Sequence, residues 1–422
     1  LSELTVDLEH ARVARNSLTR HSVMLRRALE RFDSEPEGDF LRAISRADLL
    51  REINSFVKGR AARLTDVVQL GIGGSSLGAQ AVCGALLPAR HNEIVRKPGL
   101  RCHFPDNIDP ESFGALLESL NPTTTLVHVV SKSGGTLETA AQLHALLEVF
   151  RGSKRKFSMR KNFVVTTGAS GALRDFASDE GVPVLSAPEH IAGRYSLFTS
   201  SGLLVPALCG VPVARVLAGA RRMEQRCRAD AMIGPAGLLA ALGFHHDQNE
   251  QRPIHVEMIY SDALQLCGAW FSQIWAESLG KKGRGPTPVV ARGTTDQHSQ
   301  IQLYVGGPDD KLYTVVRVDR HRRAVKIARG ARPAVLSGRS LAQIFAAEAE
   351  GTVSALIEQR RPVVQLRLPK ITPEIIGELI LLQQLQTALA GSLYRVDPFV
   401  QPGVEAGKIA AMKILSGGSP PG

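Results

Sequence analysis

A chain of 422 residues with 44% hydrophobic and 22% charged residues has the material for two or more cored domains, which excludes a disordered or fibrous protein. Its 51 Lys and Arg against 40 Asp and Glu leave a net charge of +11, favouring anionic ligands. The charge is dispersed and aromatics reach only 5%, so no nucleic-acid surface is expected.

Several further classes drop out. The most apolar stretch, Leu197 to Ala220, is interrupted by Pro206, Gly210, Pro212 and Arg215, which argues for a buried, kinked helix and against a membrane span. The basic clusters Arg151–Lys161 and Arg317–Arg323 read as solvated faces or loops. Cys83, Cys102, Cys209, Cys227 and Cys267 are scattered and form no CxxC pair. That pattern points to reduced thiols in a cytoplasmic protein, not to a disulfide frame or a zinc site.

In chain order, residues 1–35 read as mostly helical. A short buried strand at Asp66 to Leu70 follows, then the turn Gly71-Ile72-Gly73-Gly74-Ser75-Ser76 and a helix to Leu87. The turn is not a dinucleotide fingerprint, because the third glycine of that motif would fall at Ser76. It is not a P-loop either, since Ala79 stands where a lysine is required. Strands at Leu100 to Phe104, Leu126 to Val130, Phe163 to Thr167 and Val182 to Leu185 alternate with helical patterns. This β-α alternation predicts a doubly wound parallel sheet, with the turns at Gly71 and Ser131 sharing a crevice at the strands' carboxyl ends.

The second of those turns, Ser131-Lys132-Ser133-Gly134-Gly135-Thr136-Leu137-Glu138-Thr139, is crowded with hydroxyls and opens an amphipathic helix. Hydroxyls, permissive glycines and the free N–H groups of a helix start together make an anion cradle.

A second alternating region begins near Ile254. Its helix, expected from Asp262 to Leu279 with Ser261 as N-cap, places Leu266, Trp270, Ile274 and Glu277 on one stripe. Glu277 closes an apolar row near the negative end of the helix dipole. Both influences disfavour its charge, which suits a general base, although pairing with Lys281 or Lys282 is the plainer alternative. The segment from Arg284 to Gln300 reads as a loop carrying His298. Strands at Lys311 to Val318 and Ala324 to Ile327, a helix from Ser340 to Ala355, a strand near Pro362 to Leu366 and a helix over Thr372 to Leu389 follow. The chain closes with a helix started by Pro402 and a Gly/Ser/Pro tail that composition predicts to be disordered.

Six blocks now stand in order: GIGGSSLGAQAV, SKSGGTLET, GRYSLFTSSGLL, WAESLGKKG, GTTDQHSQIQ and QPGVEAGK. Together they resemble the blocks of the glucose-6-phosphate isomerase (phosphoglucose isomerase) family. The resemblance implies an α/β fold of two SIS-type (sugar-isomerase) doubly wound parallel-sheet domains with a C-terminal helical arm. It places an N-terminal helical segment over 1–45, the domains over 46–210 and 211–390, and the arm over 391–422.

It also implies a homodimer with shared active sites, a phosphorylated hexose as substrate, and no cofactor or metal. Ser131, Ser133, Thr136 and Thr139 would hold the phosphate, with Lys132 and Ser75 beside them and Gly73 and Gly74 close to the sugar. Glu277 would move the proton between C2 and C1, and Arg194 would steady the enediolate. His298, from the partner subunit, and Lys408 would open the ring, with Gln401 near the hydroxyls. Two other readings stay open: a non-catalytic sugar-phosphate-binding protein, and an isomerase also acting on mannose 6-phosphate. The family usually carries aspartate where Val400 stands and glycine where Ala192 stands. Val400 is therefore expected to detune the ring-opening arm.

Overall fold

The computed structural model describes residues 3–230 and 234–417. Its strands, in chain order, are β1 (Thr5–Asp7), β2 (Asp66–Leu70), β3 (Arg101–His103), β4 (Thr125–Ser131), β5 (Phe163–Thr167), β6 (Val184–Ser186), β7 (Ile254–Tyr260), β8 (Thr287–Arg292), β9 (Lys311–Arg320) and β10 (Val363–Lys370). The runs β2, β4 and β5 are buried at every residue, as expected for parallel strands covered by helices on both faces.

The first sheet has the order β3-β2-β4-β5-β6 and is wholly parallel. The second has the order β1-β10-β9-β7-β8, with only β1 antiparallel. Chain order reverses direction between β2 and β4 in the first sheet and between β7 and β9 in the second. Those reversals open a crevice beyond the strands' carboxyl ends. Because β2 and β4 are hydrogen-bonded neighbours, the turns at Gly71 and Ser131 leave the sheet side by side.

Helix Pro373–Tyr394 packs against helices Val213–Ala229, Pro235–Asn249 and Gln265–Leu279 and is buried along nearly all of its length. Thr372 caps it by accepting from Ile375 N at 3.3 Å. Glu378, fully buried within it, accepts from Leu4 N at 2.8 Å and pairs with Arg222. That contact fastens the N-terminus to the helix.

Four sequence readings are corrected. The N-terminal stretch is not helical throughout: β1 adds an edge to the second sheet, and three residues are too few to show alternation. The segment read as a loop before His298 contains β8. Pro288, which disguised it, is tolerated because β8 is an edge strand. Ala324 to Ile327 is no strand and has only an isolated bridge from Lys326 to Ser340. Both sides of the preceding β9 are already taken by β7 and β10, so this run has no edge to join. The Leu197 to Ala220 stretch is not one kinked helix. Its start ends a two-turn 3-10 helix, Gly193–Phe198, and the rest forms two helices, Ser200–Leu208 and Val213–Ala229, separated at Gly210 and Pro212. The Gly/Ser/Pro tail expected at 418–422 lies outside the described residues. No helix among those residues is long and apolar enough to cross a membrane.

Candidate active site

The hydroxyl-rich loop follows β4 directly and ends where helix Leu137–Gly152 starts. Gly134 turns it in the left-handed region, with φ +70°, a conformation that a side chain would strain. Ser131 Oγ and Thr136 Oγ1 stand 2.9 Å apart, and Ser133 Oγ accepts from Gly135 N at 3.4 Å. Thr139, in the first helical turn, is 2% exposed and its Oγ1 has no protein partner. A buried hydroxyl without a partner costs about 1–3 kcal/mol, and at a helix start such a hydroxyl is suited to an anion. Lys132 does not turn into this cradle: its Nζ donates to Ile191 O at 2.9 Å, and burial lowers its pKa.

The neighbouring turn, Gly71–Ser76, is held by Gln69 of β2, whose Nε2 donates to Ser75 O at 2.8 Å and Ser201 O at 2.9 Å. A Cβ at Gly74 would lie 2.5 Å from Arg194 N, so glycine is required for this turn to touch the Gly193–Phe198 turn. Helix Gln265–Leu279 packs against both turns. A Cβ at Gly73 would meet Gln273 Nε2 of that helix at 2.7 Å. Three segments far apart in sequence therefore meet beyond the carboxyl end of β2.

Arg194 occupies their junction, with its side chain 1% exposed. Its Nε donates to Ser278 Oγ at 2.9 Å, and one terminal nitrogen to Pro398 O at 2.7 Å and Val400 O at 3.1 Å. The other donates to Glu277 Oε2 at 3.2 Å and to Gln401 Oε1. Every guanidinium N–H has an acceptor, so the cation is fixed in place.

Glu277 accepts on its other oxygen from Gln273 Nε2 at 2.8 Å, one helical turn earlier. The apolar row read from the sequence is not its whole surroundings: Arg194 and Gln273, from two different elements, both donate to the carboxylate. Glu277 stays 31% accessible, so it is held but reachable. Lys281 does not pair with the carboxylate. Its Nζ donates to the carbonyls of Glu277 and Ser278 at 2.8 and 2.5 Å, closing the helix C-terminus. Burial, helped by the charge of Arg194, pushes Lys281 down to about 8.

The remaining residues lie further out. Gln401 joins the cluster through Arg194. His298 is exposed at the end of a short turn after β8, in a cavity at the carboxyl ends of β7, β8 and β9 lined also by Asp262, Arg292 and Arg320. No hydrogen bond or ion pair among the described residues joins it to Glu277. Lys408 is exposed on helix Glu405–Leu415. Val400, half exposed at 47%, contributes its carbonyl to Arg194, while its side chain meets solvent.

Gln273, Ser278 and the carbonyl of Pro398 were missed by sequence reasoning. Gln273 and Glu277 are four apart on one helix, a spacing that signals contact once the glutamate is singled out. Nothing in the letters marks a backbone carbonyl. Side chains with metal-ligand spacing occur on other elements, at His91, Cys102 and Cys209.

Known proteins resemble this chain over most of its length. The family described as phosphoglucose isomerase matches residues 45–419. A glucose-6-phosphate isomerase of Rubrobacter xylanophilus is 38% identical over 92% of this chain and 91% of its own length. One from Thermus thermophilus is 37% identical over 95% and 97%. Among solved structures, a hypothetical protein from Thermus thermophilus superposes with a TM-score of 0.87 at 33% identity, covering 98% of this chain and 100% of that one. A glucose-6-phosphate isomerase from Chlamydia trachomatis has a TM-score of 0.85 over 99% and 89% of the two chains, its 23% identity supporting the fold alone. The chain belongs to the phosphoglucose isomerase family.

Proposed function

We propose that the protein interconverts glucose 6-phosphate and fructose 6-phosphate through a cis-enediolate. The observation that carries this is the Glu277 carboxylate, held by Arg194 and Gln273 against the Gly73–Gly74 turn, next to the hydroxyl cradle of β4. In this reading Ser131, Ser133, Thr136 and Thr139 take the phosphate and Ser75 flanks it, while the Lys132 side chain stays turned to Ile191 O. Glu277 removes the C2 proton of the open-chain aldose. The C–H electron pair becomes the C1=C2 double bond and the carbonyl pair moves to O1. The O2 proton passes to O1, and as C2=O2 forms the double-bond pair takes the proton back from Glu277 at C1. Arg194 stabilises the negative oxygen mainly through its fixed charge. Its bond to Gln401, an exposed residue, is the one that substrate can exchange.

His298 and Lys408 serve ring opening, with His298 supplied by a second copy of the chain. A homodimer is supported by the exposed apolar residues of the arm, Val404, Ile409, Met412, Ile414 and Leu415. A cytoplasmic location goes with this reading and is checked by fractionation. The functional test is a coupled assay for glucose 6-phosphate formed from fructose 6-phosphate. Turnover is expected; calorimetric binding of the substrate without turnover would replace the reading with a binding protein.

A further inference from the structure

The cysteines that the sequence scatters do not stay apart. Cys102 lies on the edge strand β3, His91 opens the short helix His91–Ile94, and Cys209 closes helix Ser200–Leu208. One ligand-type atom from each of the three lies within 4.8 Å of the other two. The thiol of buried Cys83, on a fourth segment, lies against that of Cys102.

The surroundings are those of a held group, not a chance encounter. Asn92, next to His91, clamps the Cys102 backbone on both sides: its Nδ2 donates to Cys102 O at 2.8 Å, and its Oδ1 accepts from Cys102 N at 2.9 Å. The His91 ring nitrogen Nε2 stands 2.8 Å from Leu100 O. A carbonyl only accepts, so Nε2 carries the hydrogen and the neutral ring keeps its lone pair on Nδ1. A backbone carbonyl orienting the non-ligating nitrogen is the usual outer support of a metal-bound histidine.

We propose that His91, Cys102 and Cys209 bind one thiophilic divalent cation, Zn²⁺, with Cys83 or water in the fourth position. Two thiolates and an imidazole select a soft or borderline ion over Mg²⁺ or Ca²⁺. Ligand bonds of about 2.0–2.3 Å in a tetrahedron put neighbouring ligand atoms roughly 3.5–3.8 Å apart, so closure from the present spacing takes only small side-chain rotations. Binding releases the thiol protons, and the two thiolates balance the ion's charge. None of the ligands belongs to the Arg194–Glu277 cluster, so the ion is structural. It ties an edge strand to two helices, and the proposal is independent of the isomerase reading.

The test uses the full chain, reduced with a phosphine and stripped with a chelator. Titration with Co²⁺ is expected to give thiolate-to-cobalt charge-transfer and strong tetrahedral visible bands, saturating at about one equivalent and displaced by Zn²⁺. Cys102→Ser, Cys209→Ser and His91→Gln should each weaken Zn²⁺ binding by about 10-fold or more. Cys227→Ser, on a separate helix, should leave it unchanged. Absence of cobalt–thiolate bands in the reduced wild-type protein overturns the proposal, and no variant needs to fold for that result. Bands that survive both serine substitutions overturn it too. Peptide mapping that finds a Cys102–Cys209 disulfide, with no bands after reduction, assigns a redox pair instead.

Discussion

The inner and outer halves of the candidate site are built differently. Arg194, Glu277, Gln273 and Ser278 sit where two sheets' helices and turns meet, and hydrogen bonds within one chain fix each of them. His298 and Lys408 are exposed, and the arm around Lys408 leaves Ile409 67% and Leu415 69% accessible. The inner half is preorganised by one chain's own packing. The outer half has apolar surface that one chain does not cover, which in the proposed homodimer a second copy would cover. Proton transfer at C2 should accordingly depend on a single chain, and ring opening on the assembly.

The largest expected effect breaks the inner half. Glu277→Gln retains an oxygen for Arg194 and most of the shape, but cannot accept a proton. Isomerisation should fall by roughly 10²-fold or more, while a sugar-acid phosphate still binds through the Ser131–Thr139 loop. Steady-state kinetics and calorimetry check the two halves of this statement. Wild-type turnover in the variant would reduce Glu277 to a structural residue.

Mixing sharpens the comparison. His298→Asn and Glu277→Gln chains, each inactive alone, should regain activity when co-refolded if His298 crosses to the other subunit. In a random mixture half the dimers are mixed and each carries one intact site, so recovery to about a quarter of the wild-type level is expected. No recovery, with mixed dimers confirmed by mass spectrometry, would place His298 and Glu277 in one chain.

An effect on stability, not on turnover, tests how tightly the interior is packed. Burial lowers His128 to about 3 and His246 and His255 to about 4, from 6.5. The unfolded chain therefore binds more protons than the native one as the pH falls through about 6.5. Stability is full above that pH and is lost as it falls towards 4. The slope is about 1.4 kcal/mol per pH unit for each histidine in the window. Urea midpoints at pH 7, 6 and 5 measure it; a flat profile would mean these histidines are protonated in the fold.

The same division governs what could be read from the letters. The hydroxyl-rich turn and the helix of Glu277 were legible as local structure because each is one continuous stretch: a strand, a glycine-serine turn and a helix start at Ser131, and a helix with glutamate on its apolar stripe at Glu277. The strand order and the pairing of Arg194 with Glu277 were not, because they join residues 83 apart through packing. The environment of Glu277 was read only in part for that reason, since a single helix shows its dipole but not the cation across from it. Convergence of Cys102 and Cys209 was invisible too: spacing rules find ligands within one turn, not ligands brought together by an edge strand and a helix end. β8 was hidden by a proline that only its edge position permits.

The smallest effect lies at the seam between the halves. Val400 stands where the family usually has aspartate and is expected to detune the ring-opening arm; a buried valine would do so by leaving a donor unpaired, or by misplacing Gln401. The structure removes the first concern, because the side chain is exposed and a donor beside it can turn to water. Arg194 is instead satisfied by the Val400 carbonyl, a group that any residue supplies, and by Gln401 itself. Val400→Asp therefore leaves the inner network in place and adds one solvated carboxylate near the arm. Stability should change by no more than about 0.5 kcal/mol, as for other exposed substitutions. Fructose 6-phosphate turnover should stay within about 2-fold, with any gain confined to the rate of anomer interconversion, which reports the outer half. A large rise in turnover on open-chain substrate would show instead that position 400 acts on Arg194, and that the two halves are not separable.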